Sequence, residues 1–313
     1  MIGFVLRRVA SGIALVVVIA TVTFFLLRAG GTNVARTLLG ETATQDQIAA
    51  KLHELGLDRN VLVQYGDWLS HAVRGDFGTS WLTNQPVTTA LVDRLPVTLS
   101  IAIGAVVLTA VVSVLLGVLA AYRRGWIDRV VQVLGIAGFA MPGVWLALIL
   151  ILAFAIKLAW FPATGYVQAS QSLSGWAIAL VLPVVAIAVS SVASTAQQVR
   201  SAMLEVLQND YVRTLRSRGL SERSVVLRHA LRNAAPTGLT VISLEFISLL
   251  GSTVVIERIF ALPGIGSMVL DATVGGDSPQ VLGVVVMMVI VVVLVNLVID
   301  LLNGWLNPKV RVR

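Results

Sequence analysis

Apolar positions along this chain fall in long uninterrupted blocks, neither alternating as in a half-buried strand nor recurring once per helical turn. Six stretches, roughly 9–27, 97–121, 130–156, 176–191, 236–256 and 281–302, carry almost no charge. A helix needs about 20 apolar residues to cross a hydrocarbon layer ~30 Å thick, so each block reads as a transmembrane helix. The first follows Arg7-Arg8 and looks like a signal peptide. Its long apolar run and the lack of a small-x-small cleavage pattern make it a retained anchor instead. The expected fold is therefore an all-α integral membrane protein with six transmembrane helices.

Two connections exceed a tight helix–helix turn. Between the first two spans, Thr44 and Gln47 form a capping-box pattern, Ile48, Leu52 and Leu55 share a helical face, and Gly56 supplies a stop. The turn-rich run Gly75-Asp76-Phe77-Gly78-Thr79-Ser80 follows. On spacing alone this element is equally a solvated cap and a docking surface for an external partner. Between the fourth and fifth spans, Asp210 is placed to cap a helix over 211–218 that Gly219 ends, and Ser221 to cap the next. Eight helical residues cover about 12 Å, and an isolated helix of that length is marginal in water, so the bundle or another protein must hold it. Leu204, Leu207, Tyr211 and Leu215 lie near one stripe with arginines around the rest. That pattern fits a mechanical handle for a partner, and it equally fits association with the membrane surface.

Composition supports the membrane reading. Of 313 residues, 57% are hydrophobic and 12% charged, about half the ~25% charge of a soluble domain. With the N-terminus inside, the inner segments hold fifteen of the 23 Lys and Arg residues. Six of the outer eight lie between Arg28 and Arg94, in a loop long enough to escape the positive-inside rule. Both termini are expected in the cytoplasm. The net charge of +7 then faces anionic inner-leaflet lipid and calls for no nucleic acid.

Candidate chemistry narrows the class further. The chain has no Cys, and His53, His71 and His229 form no metal-ligand motif, so no metal site is expected. The three Lys follow Ala50, Ile156 and Pro308, and none can be the lysine of a phosphate-binding loop. An ion-coupled carrier would show inverted repeats, which are not evident despite breakers at Pro142-Gly143 and Pro183. A hydrolase would need a base beside its nucleophile, and no His lies in a span. Glu245 stands near the middle of the fifth span, with Ser248 and Ser252 on the same helical face. Such a carboxylate lines an aqueous path or holds a buried partner. The serines suit interhelical hydrogen bonds as well as a path.

The run Asp210-Tyr211-Val212-Arg213-Thr214-Leu215-Arg216-Ser217-Arg218-Gly219-Leu220-Ser221 resembles the cytoplasmic coupling loop of ABC importer permeases of the dipeptide/oligopeptide/nickel family. Leu227-Arg228-His229-Ala230-Leu231-Arg232-Asn233-Ala234, Pro263-Gly264-Ile265-Gly266, Asp277-Ser278-Pro279 and the C-terminal Asn307-Pro308-Lys309-Val310-Arg311 are similar too. Gly56-Leu57-Asp58, Gln64-Tyr65 and the 75–80 run resemble the first, B-type, permease subunit, with its long outer loop. Three departures stand out. Ala29-Gly30-Gly31-Thr32-Asn33 replaces a Pro-Gly-Asp-Pro-like turn, Leu215 replaces Ala and the proline after Asn233 comes one residue early at Pro236, and Glu245 stands in place of Gln.

The resemblance implies a type I importer permease that translocates di- or oligopeptides or similar small solutes delivered by a binding protein. Nickel or another non-peptide solute is the alternative within the family, and an ion-coupled secondary transporter the alternative outside it. The chain would be non-catalytic and bind no cofactor, with ATP and Mg²⁺ used by partner ATPases. Its expected partners are a homologous second permease, two ATPase subunits, an extracytoplasmic binding protein and membrane lipid, without nucleic acid. Asp210, Tyr211, Arg213, Thr214, Arg216 and Gly219 would couple to the ATPase. Glu245, Ser248 and Ser252 would line the translocation path, and Asp76 with Phe77 would dock the binding protein. The expected organisation is an anchor helix at 1–28, an outer subdomain at 29–96, a five-helix core at 97–306 with its coupling helix at about 210–219, and a tail at 307–313.

Overall fold

A computed structural model describes residues 2–29, 34–40, 42–123 and 125–306. The turn at 30–33 and the tail at 307–313 lie outside the described residues. The named elements among the described residues are all helices: α1 (Ile2–Ala29), α2 (Val34–Leu39), α3 (Gln45–Glu54), α4 (Val61–Ala72), α5 (Val87–Arg123), α6 (Trp126–Ala140), α7 (Gly143–Lys157), α8 (Leu173–Leu207), α9 (Asp210–Ser217), α10 (Glu222–Ile259), α11 (Ile265–Gly275) and α12 (Ser278–Leu306). The last turns of α7 from Ile151, and the first turns of α10 over Val225–Ala230, are wound as π-helix.

Five of these helices, α1, α5, α8, α10 and α12, are long and apolar enough to cross a membrane. The remaining expected span, 130–156, is broken: α6 and α7 meet at a 96° bend, and only as a pair do they have the length of a span. The break sits at Met141-Pro142. Proline supplies no N–H and disfavours helical backbone in the residue before it, and Met141 is extended at φ −91°, ψ 115°. Elsewhere the helices overrun the expected spans. Those of 37 and 35 residues, α5 and α8, reach roughly 55 Å at 1.5 Å per residue, well beyond the hydrocarbon layer. Helix α5 starts at Val87, directly after Pro86, and carries Pro96 inside it.

The described residues divide into two compact units. One comprises Ile2–Pro96 and Pro263–Leu294. Its core gathers Ala20, Phe77, Val87, Leu91, Ile265, Met268, Val284 and Val286. The residues of the outer connection do not stand apart in it. Tyr65 shares a 2.7 Å hydrogen bond with Thr21, and its ring packs 5.3 Å from Phe24, with Trp68 at 5.8 Å from the same ring. Within the connection, the Gln47 amide N–H donates to Thr44 Oγ1 while Gln47 Oε1 accepts from the Thr44 N–H, the reciprocal cap read from the sequence. Gly56 is left-handed at φ +66° and ends α3.

The other unit comprises Val97–Leu262 and the described part of the C-terminal stretch. One of its cores is built on Ile101, Ala105, Leu182, Ala186, Leu249 and Phe260. A second gathers Met203, Leu207, Val212, Val225, Val226 and Ala230 around the start of α10. Asp128 at the start of α6 and Arg200 on α8 form a bidentate ion pair, Arg200 Nη2 donating to Asp128 Oδ2 at 2.6 Å and Nε to Oδ1.

Candidate functional site

The segment 204–222 shows how a helix of eight residues is made stable. Helix α9 begins at Asp210, which lies inside the first turn and leaves the cap position to Asn209. Its carboxylate suits the positive end of the helix dipole. The stop is a Schellman turn: the Gly219 N–H donates to the Arg216 carbonyl at 2.9 Å and the Leu220 N–H to the Leu215 carbonyl at 3.3 Å. This needs a left-handed residue, and Gly219 supplies it at φ +79°. Ser221 then caps α10 by accepting from the Ser224 N–H.

Val212 is fully buried in the apolar cluster around the start of α10, with Leu215 and Leu220 packed against it. Burying a side chain of this size stabilises by about 1.5–3 kcal/mol, more than a lone eight-residue helix has from its own hydrogen bonds. The apolar stripe read from the sequence shifts accordingly. Leu207 is buried, but Tyr211 stays 37% exposed and accepts a hydrogen bond from Asn233 Nδ2 at 3.1 Å. The chain turns at Gln208-Asn209, so α9 does not continue the phase of α8, and Val212 takes the inward position. Arg213 and Arg216 point outward. Arg213 reaches Asp210 at 3.4 Å, and Arg216 donates to both oxygens of Glu222 at 2.6 and 3.3 Å. Thr214 Oγ1 donates to the Asp210 carbonyl.

Glu245 lies on α10 with its carboxylate turned toward α8. Ser194 Oγ donates to Oε1 at 2.8 Å and Ser191 Oγ to Oε2 at 3.2 Å. Among the described residues no Lys, Arg or His forms an ion pair with it. Ser248 and Ser252, one and two turns on, are exposed, and Ser252 Oγ donates back to the Ser248 carbonyl. Next to Ser194 opens a cavity of about 660 Å³ between α6, α8 and α10, lined on α8 by Ser194, Gln197, Gln198, Ser201 and Glu205. Counted from Ser194 through the adjacent pair Gln197-Gln198 to Ser201 and Glu205, these positions return every three or four residues, so a polar stripe runs along one face of an otherwise apolar helix. That periodicity was available in the sequence and marks residues the motif-based reading passed over.

On the outer connection, Asp76 is exposed, and its Oδ1 accepts from the Gly78 N–H at 2.9 Å in a local turn. Phe77 beside it is 6% exposed and belongs to the core, so it anchors the turn from beneath. The same unit holds a buried carboxylate that sequence reading missed. Asp277 accepts from Ser80 Oγ at 2.5 Å, from the Trp81 and Leu82 N–H groups and from the Gln280 N–H. Two runs singled out separately, 75–80 and 277–279, thus meet at one side chain. At the end of α3, His53 Nδ1 and Asp58 Oδ2 lie 2.6 Å apart. The hydrogen bond to Asp58, then its charge, raises the His53 pKa; the hydrogen bond from His53 lowers that of Asp58.

Comparison with known proteins adds the following. Residues 113–312 match the family described as binding-protein-dependent transport system inner membrane component, and residues 1–102 match the N-terminal module of such membrane components. A Brucella abortus (strain 2308) chain provisionally named a peptide transport system permease protein is 39% identical over 312 residues, covering 99% of each chain. The di/tripeptide transport system permease protein DppB of Pseudomonas aeruginosa is 34% identical, again over 99% of both chains. The glutathione transport system permease protein GsiC of Salmonella choleraesuis is 32% identical over the same share. Among solved structures, a chain of the MetNI methionine ABC transporter in an inward facing conformation superposes with a TM-score of 0.57 at 19% identity, covering 69% of this chain and 96% of that one. At that identity the likeness is one of fold.

Proposed function

This chain belongs to the family of inner membrane components of binding-protein-dependent transport systems, the non-catalytic permease subunits of ABC importers, and on that premise we propose that it translocates di- or oligopeptides. Relatives named for peptide, di/tripeptide and glutathione transport support a substrate with a peptide backbone. As a multi-pass inner membrane protein of this family it works with ATPase subunits, a substrate-binding protein and a second permease. The proposed arrangement has six spans, with α6 and α7 sharing one, both termini in the cytoplasm and the outer connection facing the binding protein. The organisation into an anchor at 1–28, an outer element at 29–96 and a core at 97–306 belongs to the same proposal.

The observation that carries the coupling assignment is α9: a single turn-capped helix pinned by Val212 beneath, with Arg213 and Arg216 displayed above. A helix held from one side only is a rigid lever, and its exposed cations suit an acidic groove on an ATPase. Closure of the ATPase pair on ATP would displace α9, and its packing against α8 and α10 would pass the movement on as a rigid-body switch. Asp210 and Thr214 hold the helix start, Tyr211 ties it to Asn233, and Gly219 sets where it ends. Glu245 and the polar cavity beside it are the proposed translocation path. Ser248, Gly251 and Ser252 form a small-residue face of α10 suited to close approach by the second permease. The exposed turn at Asp76, held by Phe77, is the proposed docking point for the binding protein.

The test is the assembled importer in liposomes. Gly219→Val places a β-branched residue at positive φ, costing about 1–2 kcal/mol at the stop. Arg213→Glu with Arg216→Glu reverses the charge of the display. Each is expected to lower substrate-stimulated ATPase activity and uptake several-fold with normal membrane insertion. Full transport by both variants would place coupling elsewhere.

A further inference from the structure

At the end of α5 the outward face is apolar without interruption. Ile103, Val107, Val111, Leu115 and Leu119 recur every four residues, and each is 42–64% exposed. Helix interfaces within membranes favour small residues, whereas this stripe is large and branched, as a lipid-facing surface is. Where it meets the first turns of α10 it opens into a groove of about 400 Å³. Val114, Leu115, Val118 and Leu119 form one wall, with Val226, Leu227 and Leu231 forming the other. Tyr122 and Arg223 are the polar residues of the lining. A second apolar cavity of about 170 Å³ shares Val114 and Leu231 with it and runs on past Gly238. A Cβ at Gly238 would meet nothing within 4 Å, so the slot is open there.

We propose that this groove binds one anionic phospholipid of the cytoplasmic leaflet, an acyl chain lying between α5 and α10 and the phosphate held at Arg223 and Tyr122. The inference rests on the orientation given above, which places the end of α5 at the inner interface. A methylene takes nearly the room of a water, about 30 Å³, so the groove accommodates on the order of a dozen chain carbons. Arg223 is exposed and forms no ion pair among the described residues, leaving its guanidinium available for bidentate contact with phosphate. Tyr122 has the amphipathic ring that settles at the headgroup level, and Arg123 follows it on the exposed end of the helix. A lipid wedged here would brace the junction from which α9 hangs, because Val226 and Leu231 also pack in the cluster that buries Val212.

The test uses the full chain purified in detergent, titrated with phosphatidylglycerol or phosphatidylcholine and read by native mass spectrometry. Phosphatidylglycerol should be retained preferentially. Arg223→Glu should cut its retention about tenfold, the loss expected for a charge-assisted contact. Leu115→Trp, which fills the mouth, should lower retention of both lipids. Equal retention of the two lipids, or an unchanged preference in Arg223→Glu, overturns the proposal. In native membranes a photo-activatable residue at position 119 should yield a phospholipid adduct, and a cross-link to a polypeptide would mean that a protein covers the groove. Since the chain has no Cys, Ser221→Cys provides a sole thiol. Labelling of that thiol from outside would sink the orientation together with this inference. Labelling from inside without lipid preference sinks this inference alone.

Discussion

Gly117 on α5 packs tightly against α8. A Cβ there would lie 2.8 Å from the Ala196 carbonyl oxygen and 2.8 Å from Val199 Cβ, and the carbonyl belongs to a helix backbone that cannot swing aside. Gly117→Ala should therefore destabilise by about 1–3 kcal/mol and lower the melting temperature of the isolated chain. Gly251→Ala, with open space around it, should not. At Glu245 two serine hydroxyls from α8 already satisfy the carboxylate, so the side chain ties α10 to α8 one turn beyond Val241, which lines the polar cavity as Ser194 does. Glu245→Gln keeps shape and removes charge. If the carboxylate serves passing substrate, uptake of lysine-containing peptides should fall several-fold relative to matched neutral ones, with a melting temperature close to the parent's. Equal losses for both peptides with a lowered melting temperature would assign it to interhelix bonding alone. The position of Glu245 was legible in the sequence. Its turn toward Ser191 and Ser194 was not, because spacing along one helix says nothing about which neighbour faces it.

Among the elements, short-range signals read well. The Thr44–Gln47 box, the Gly56 and Gly219 stops and the Ser221 cap are satisfied within a few residues of themselves, so local chemistry decides them. The corner closing α3 adds a pH dependence. His53 has a raised pKa, so its share of stability is complete below about 6.5, the unfolded value, and is lost as pH rises through the folded one. Asp58 has a lowered pKa, and its share is complete above about 3.9 and lost as pH falls through the folded value. The corner should be firmest between roughly pH 4 and 6.5. Amide exchange at Gly56 and Leu57, corrected for intrinsic rates, should show a protection gap between the parent and His53→Gln at pH 5.5 that shrinks by pH 8. Both groups are exposed to solvent, so the gap will be small. Helix bounds were less legible: Pro142 was visible as a breaker, but the 96° bend was not, and α5 begins well before the apolar run that announced it.

For the whole molecule, family membership and composition converge on a subunit that does no chemistry itself. With no phosphate-binding loop lysine, the purified chain in lipid should show no ATP hydrolysis above background, and activity should appear only when ATPase subunits are added. Turnover by the isolated chain would overturn the division of labour. Apolar blocks of about 20 residues, the basic bias of the inner segments and the ordered motifs are properties of the chain alone. They determined that it enters a membrane and which class of transporter it serves, because partition into lipid depends on residues summed along a segment. The tertiary structure decided what depends on residues distant in sequence. Asp277 receives Ser80 from nearly two hundred positions away, Val212 and not Tyr211 becomes the pin of α9, and the serines of α8 find Glu245. Each of these is a choice of partner across the fold, and a buried polar or apolar group takes the neighbour that packing brings to it.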